Sequence, residues 1–130
     1  MKKKGLLICL LVVCLFALAG YFYMFQDHRD ISVEDATFTL TVNELKSQFA
    51  ANAVVANAKY IDQTIAVTGT VTYIDTLEHT IVLDQNLSAV LKDSIMDGVS
   101  PQMLVKVKGR FLGYDDLLEE LKIDEAMIIQ

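Results

Sequence analysis

Three cations at alternate positions, Lys106, Lys108 and Arg110, form the most regular charged pattern in the sequence. Alternate residues of a β-strand point to the same side, so the spacing predicts a basic stripe along one strand face. Grooves that bind single-stranded nucleic acid combine such positive charge with aromatic rings on which the bases stack. Tyr114, four residues after the stripe, is the ring placed to join it, and the four residues form the candidate ligand-binding set.

The charge of the whole chain favours a different interpretation of the stripe. The net charge is −6, and without the three N-terminal lysines 8 basic residues face 17 acidic ones, a net charge of −9. A domain with that charge repels a phosphate backbone. A basic stripe is also typical of a solvated strand face that pairs with acidic residues on neighbouring strands. The composition therefore argues against nucleic acid as the partner.

The remaining titratable residues do not form a catalytic or metal-binding set. His28 and His79 have no cysteine or histidine at the spacing of zinc ligands. Four carboxylates follow the stripe, but their spacing matches no calcium loop and predicts a solvated acidic surface; they are Asp115, Asp116, Glu119 and Glu120. We therefore expect no metal, no cofactor and no enzymatic activity.

The N-terminal 25 residues have the composition of a membrane segment. Three lysines precede an uncharged apolar run from Gly5 to Phe25, which is long enough to cross a hydrocarbon core as a helix. The lysines predict that the N-terminus stays in the cytoplasm and that the rest of the chain is exported. The expectation is a single-pass signal anchor, residues 1–25, with the following domain on the far side of the membrane.

Two other fates of this segment stay open. A signal peptide cleaved after Ala17-Leu18-Ala19 has a suitable small-residue site. A lipoprotein signal would use Cys14 or Cys9, although the bulky Val13 or Ile8 then precedes the cysteine. The continued apolar run favours the anchor. Both cysteines lie in this segment, so the exported part cannot form an internal disulfide.

A tether and a helix are predicted to follow the membrane segment. Residues 26–38 are polar, acidic and aperiodic, which is typical of a linker. Thr41 and Glu44 then match a capping box, in which each side chain bonds the backbone N–H of the other residue. Apolar residues at three- and four-residue spacing continue from Leu45, and the pattern predicts one helix over residues 41–59.

The rest of the chain alternates with the period of β-strands. Five strands are predicted, and the segment 94–103 between the third and fourth contains Gly98, Pro101 and room for one helical turn. A five-stranded sheet exposes two edges, which closure into a barrel removes. The prediction is a mainly β domain with strands at residues 64–75, 80–85, 88–93, 104–114 and 121–129.

Two glycines interrupt otherwise good strands. In the first strand Gly69 alternates with Val67, Val71 and Tyr73, all predicted to face the interior, and Gly109 has the matching place in the fourth strand. A glycine inside a strand marks a bulge or a sharp bend. Both glycines are therefore predicted to be structural points where the barrel strands coil.

Several segments together resemble the tRNA anticodon-like family of exported bacterial proteins, some of which are described as lipoproteins. They are HRDI at 28–31, FTLTVNEL at 38–45, ANAKYIDQTIAVTGTV at 56–71, IVLD at 81–84 and VKVKGRFLGY at 105–114. The resemblance implies an OB-fold over residues 39–130, preceded within that domain by the helix. Cysteines that relatives carry in the third and fifth strands are absent here, so no disulfide or metal role is carried over.

These observations predict a membrane-anchored periplasmic OB-fold module that binds another envelope protein or a small ligand and does no chemistry. The alternative, which the family name suggests, is a nucleic-acid-binding OB domain. In OB-folds the ligand face is centred on the second and third barrel strands and the loops beside them. An acidic or apolar face would favour the first function, and a basic face with exposed rings would favour the second.

Overall fold

A computed structural model describes residues 2–25, 29–93 and 98–129. The first three residues of the predicted tether, which include His28, and residues 94–97 of the irregular segment lie outside the described residues. Helix α1, Lys2–Met24, is long and apolar enough to cross a membrane, and none of its residues is buried.

Two short helices replace the single predicted one. Helix α2 is Val42–Ala51 and helix α3 is Ala53–Tyr60. The capping box is present, since Thr41 Oγ1 accepts from Glu44 N at 3.2 Å and Glu44 Oε2 accepts from Thr41 N at 2.7 Å. Asn52 interrupts the helix because its side-chain oxygen caps Val55 N at 3.2 Å, which requires an extended backbone at Asn52.

Six strands follow the order β1-β2-β3-β4-β6-β5, and an additional β2–β5 pairing closes the last five into a barrel. Neighbours pair antiparallel except for β1–β2 and β4–β6, which are parallel. This is the closed, mixed, five-stranded barrel of an OB-fold, and it confirms the predicted fold class. The strands are β1 Phe38–Thr41, β2 Thr64–Asp75, β3 Thr80–Leu83, β4 Leu87–Leu91, β5 Leu104–Asp115 and β6 Glu120–Ile129.

Strand β1 is the element that the sequence pattern missed. Its four residues pair with β2 from Phe38 opposite Ile65 to Thr41 opposite Thr68. They fill the part of the β2 edge that β3 does not reach, since β3 pairs with β2 only from Val71 onward. Four residues that end at the helix cap Thr41 are too few to show a period of two.

The two helices pack against the barrel and complete its core. Leu45 and Phe49 of α2 are buried, and the Phe49 ring lies 5.5 Å from that of Phe111. At the end of α3, Tyr60 is buried, and its hydroxyl donates to Gln48 Oε1 at 2.6 Å. The barrel interior is aliphatic apart from Phe111 and is formed by Ile65, Val67, Val71, Ile81, Leu83, Leu87, Val107, Leu121 and Ile123.

Gly69 lies where β2 changes partner. Strand β2 pairs with β5 as far as Thr70 and with β3 from Val71. A Cβ on Gly69 would lie 2.8 Å from Val42 Cγ2 and 3.0 Å from Leu83 Cβ, closer than side chains approach. The position requires glycine because α2 and β3 both approach the β2 backbone here.

Gly109 lies opposite a bulge in β6. Lys108 pairs with Met127 and Arg110 pairs with Asp124, so β6 has one residue more than β5 between the two pairs. A Cβ on Gly109 would lie 2.8 Å from the carbonyl oxygen of Asp124. The side chain of Ile123, whose Cγ2 would lie closer still to that Cβ, and the backbone of β6 would both block a substitution here.

Candidate partner-binding face

Residues 29–37, here called the strap, lie across the outer side of β2 and β5. The sequence pattern assigned them to a free tether, whereas the structure packs them on the barrel. Ile31 is only 1% exposed, and Thr37 N donates to Thr64 O at 2.8 Å. The strap also explains why Thr64 and Ala66, on the outer side of β2, are buried.

Two of the three cations of the predicted basic stripe are engaged within the molecule. The ammonium of Lys108 donates to the carbonyl oxygens of Ser32 and Glu34 in the strap, at 3.1 and 2.9 Å. Arg110 forms a two-point ion pair with Asp124, with N–O distances of 2.9 and 2.5 Å. The stripe therefore holds the strap and β6, and it does not form a continuous cationic surface.

The two other predicted ligand residues have different surroundings. Lys106 is half-buried beside an apolar cleft. The Tyr114 ring is half-buried and packs against Phe49, with ring centres 5.9 Å apart, so it contributes to the core. The structure does not bring the predicted set together as one binding surface.

Ion pairs fasten the N-terminal end of the strap to the barrel, since Asp30 pairs with Lys92 at 3.0 Å and Arg29 with Asp62 at 3.7 Å. Arg29 pairs with Glu34 at 2.5 and 2.8 Å and donates to Asp62 O at 2.6 Å. Hydrogen bonds from Arg29 and Thr64 lower the pKa of Glu34 to about 2. Hydrogen bonds from Ser32 and Lys92 lower the pKa of Asp30 to about 2.

The outer side of β3 and β4 has no such covering among the described residues. Between Thr80 and Leu91 there is no lysine or arginine. The outward residues of these strands are small or aliphatic, with Val82 paired to Ser88 and Thr80 paired to Val90. This is the surface on which OB-folds bind their ligands.

Tyr73 belongs to this surface and not to the interior, so its predicted inward orientation is wrong. Val71 pairs with Leu83 and Tyr73 with Val82, which leaves Thr72 as an extra residue in β2. A bulge of this kind shifts the alternation by one residue. The side chain of Tyr73 is consequently exposed, at 59%, and Ile74 packs against the core.

Two hairpin turns of the same construction stand at opposite ends of β4. In the β2–β3 turn, Asp75 Oδ1 accepts from Leu77 N at 2.9 Å and from Glu78 N at 3.1 Å. In the β5–β6 turn, Asp115 Oδ1 accepts from Leu117 N at 2.9 Å and from Leu118 N at 3.2 Å. In each case the aspartate fixes the turn and leaves a leucine at its tip.

The leucines at these tips are among the most exposed apolar residues of the barrel. Leu77 is 89% exposed and Leu117 is 95% exposed. These leucines lie at the two ends of β4, and the outward apolar residues of the strands lie between them; the set is here called the binding face. Its members are Tyr73, Leu77, Val82, Val90, Leu117 and Leu118.

The charges around the binding face are mainly negative. Lys122 on β6, opposite Ser88 on β4, is paired to Asp115 at 3.2 Å. The backbone hydrogen bond from Leu118 and this pairing with Lys122 lower the pKa of Asp115. The turns add further carboxylates, namely Asp75, Glu78, Asp116, Glu119 and Glu120. In the described part of the chain, no group of three or more histidine, cysteine or carboxylate side chains could hold a metal ion.

The sequence contained a signal for the binding face that spacing arguments missed. The segments DTLEH (75–79) and DDLLE (115–119) both place leucine two residues after an aspartate, in turns where apolar residues are not needed for the core. An Asp that bonds backbone N–H groups two residues on is a known turn signal. The repeat of this arrangement in two hairpins is the sequence feature that indicates an exposed apolar surface.

Comparison with known proteins supports the fold. A family model described as tRNA_anti-like matches residues 1–114. A crystal structure from Klebsiella pneumoniae subsp. pneumoniae MGH 78578, described as a “putative nucleic acid-binding lipoprotein”, superposes with a TM-score of 0.52 at 14% identity. The match covers 71% of this chain and 91% of that one. No curated protein sequence matches the chain significantly.

Proposed function

The chain belongs to the tRNA_anti-like family, and we propose that it is a membrane-anchored OB-fold module whose binding face docks a protein partner without catalysis. In this proposal helix α1 anchors the protein in a bacterial inner membrane, and the barrel lies in the periplasm. The single observation that carries the docking role is the apolar binding face between two hairpin tips that present leucines.

The chemistry of the face selects the class of partner. Leu77, Leu117 and Leu118 offer apolar area at two points, and exposed apolar patches rimmed by polar residues mark interaction sites. The surrounding carboxylates favour a partner whose apolar contact region is bordered by lysine or arginine. Another envelope protein with such a surface fits best.

A nucleic-acid-binding OB domain is the alternative, which the family name and the words used for the Klebsiella structure suggest. In this chain the observation in its favour is the exposed ring of Tyr73 on the OB-fold ligand face. Against it, the strands of that face have no cation, and the nearby Lys122 is already paired to Asp115. Phosphate groups would meet a negative rim.

Site-specific photocrosslinking in the native membrane tests the docking role. A photoreactive residue replaces Leu77 or Leu117, and the matched control replaces Val33, an apolar residue of the strap that is also highly exposed, at 78%. We expect protease-sensitive, nuclease-resistant adducts of one defined mass at both tips, absent at Val33 and lost when Leu118→Asp is added. Adducts destroyed by nuclease would establish the alternative, and tips that react no more than Val33 would refute both.

Reporter fusion tests the anchor separately. The lysines before α1 and the apolar length of α1 predict one crossing with the C-terminus outside the cytoplasm. A C-terminal reporter that is active only in the cytoplasm should be silent. Mass measurement of the mature protein then distinguishes a retained anchor from cleavage after Ala19 and from lipidation of Cys14 or Cys9.

A further inference from the structure

Within the described residues, one cation of the barrel has no polar or aromatic partner of the kind that the others have. Of the eight lysines and arginines after α1, seven have an acidic, carbonyl, amide or aromatic partner: Arg29, Lys46, Lys59, Lys92, Lys108, Arg110 and Lys122. The eighth, Lys106, has no hydrogen bond or ion pair within residues 29–93 and 98–129. In a domain with a net charge of −9, it is unusual for a cation to have no acidic partner among the described residues.

Lys106 lines a cleft of about 660 Å³ whose other walls are mostly apolar. Small-molecule sites typically enclose about 300–1,000 Å³ and combine apolar walls with a few polar groups. The apolar walls come from the segment before β5, the start of β5 and the end of β6. They include Val99, Met103, Leu104 and Ile128.

Among the described residues, the polar side chains that line the cleft lie together at one place. Lys106 on β5 is directly opposite Thr68 on β2, and both residues line the cleft. Side chains of opposed residues on one sheet face are separated by about 5 Å at their Cβ atoms. An ammonium and a hydroxyl can therefore reach the same small anionic group, while the rest of the ligand contacts apolar side chains.

We propose that this cleft binds a small amphipathic anion, with a carboxylate or phosphate-monoester head at Lys106 and Thr68 and an alkyl chain along Val99, Met103 and Ile128. The cleft shares no residue with the binding face. Its ligand is therefore independent of the protein-docking role proposed above.

Titration of the full-length protein in lipid nanodiscs tests this site, with ¹³C-methyl methionine as label. Met103 lines the cleft, so its methyl resonance is the local reporter. The probes are octanoate, octyl phosphate and, as the uncharged control, octan-1-ol. We expect at least one anion to shift the Met103 resonance saturably at concentrations where octan-1-ol does so weakly, and the arm that succeeds identifies the head group.

Variants at two lysines test the role of the charge. Lys106→Gln should weaken the anion by roughly tenfold or more, the scale of one charge-assisted hydrogen bond, and should leave octan-1-ol unchanged. Lys106→Arg should retain binding, and Lys46→Gln, a lysine outside the cleft, should match the wild type. A Met103 resonance that no probe moves would overturn the site. Equal affinity for anions and alcohol, or no effect of Lys106→Gln, would overturn the proposed recognition of the head group.

Discussion

The barrel presents two outer surfaces of opposite character. On the β2–β5 side, the strap buries Ile31 and joins Arg29, Glu34, Thr64 and Lys108 in one hydrogen-bonded network. On the β3–β4 side, aliphatic residues and two leucine tips have no covering among the described residues. Lys108 and Arg110 on the first side are held by groups of the same chain, whereas the second side is apolar and exposed.

The comparison shows why a charge pattern is a poor guide to a binding surface. Three regularly spaced cations are an obvious feature, but Lys108 and Arg110 are occupied by carbonyl and carboxylate oxygens of the same chain. The exposed leucines are less regular in sequence and far more available in the structure. A cation marks a ligand site only when nothing nearby already satisfies it.

The largest expected effect is on the strap side. Ile31→Ala removes a buried side chain and should lower the free energy of unfolding by about 2–5 kcal/mol. Leu77→Ala deletes a side chain of the same volume on the binding face and should stay within about 0.5 kcal/mol of the wild type. Denaturant unfolding of both variants is the measurement. Equal losses would show that the two surfaces do not differ as described.

The second largest loss of stability is expected for a substitution at the junction between the two surfaces. Gly69 lies where β2 passes from β5 to β3, against Val42 and Leu83. Gly69→Val should lower the free energy of unfolding by roughly 1–3 kcal/mol through crowding in a packed core. An unchanged unfolding midpoint for Gly69→Val would contradict the close approach of α2 and β3.

Acid should loosen the strap selectively. Glu34 has its pKa lowered from its usual 4.5 to about 2, so its contribution to stability is complete above the usual value and is lost as the pH falls toward the lowered value. We expect the unfolding midpoint of the wild type to fall more steeply than that of Glu34→Gln between about pH 4.5 and about pH 2. Glu78→Gln, on a hairpin tip, should keep the wild-type dependence. If the unfolding midpoints of the wild type and Glu34→Gln fell in parallel with pH, the strap would not contribute to the acid sensitivity.

Much of the fold could be predicted from the sequence, because period-two alternation and turn residues determine strands locally. The limits of the five barrel strands agree with the structure to within about two residues. Strand β1 and the break at Asn52 were missed, since each depends on one short contact and not on a repeating pattern. The orientation of Tyr73 was wrong because a single bulge at Thr72 reverses the alternation.

The binding face was less predictable than the fold, because exposure depends on what else covers a strand. Lys108 and Thr64 have the alternation of an outer strand surface, yet the strap covers both. Nothing in the spacing of residues 29–37 indicates where they dock. Their role follows only from long-range contacts, namely the hydrogen bond from Arg29 to Asp62 O and those from Lys108 to Ser32 O and Glu34 O.

The smallest expected effect is on nucleic-acid binding, and it decides between the two proposed functions. On single strands the logarithm of the binding constant falls with the logarithm of salt concentration by about 0.7 per phosphate contact, so three free cations would give a slope near −2. Because Lys108 and Arg110 already have partners, the stripe offers about one contact and a slope near −0.7.

We therefore expect the full-length protein to show no specific binding of labelled single-stranded RNA or DNA at physiological salt. Titration at two salt concentrations is the measurement, with Lys106→Ala as the variant that leaves the strap contacts intact and Tyr73→Ala as the variant that removes the exposed ring. Stacking on one ring contributes only about 1–3 kcal/mol per base, too little to offset a net charge of −9. Micromolar or tighter binding that weakens in both variants, with their unfolding midpoints unchanged, would make the nucleic-acid function the better one. Binding unaffected by either variant would instead place any nucleic-acid contact away from both the stripe and the binding face.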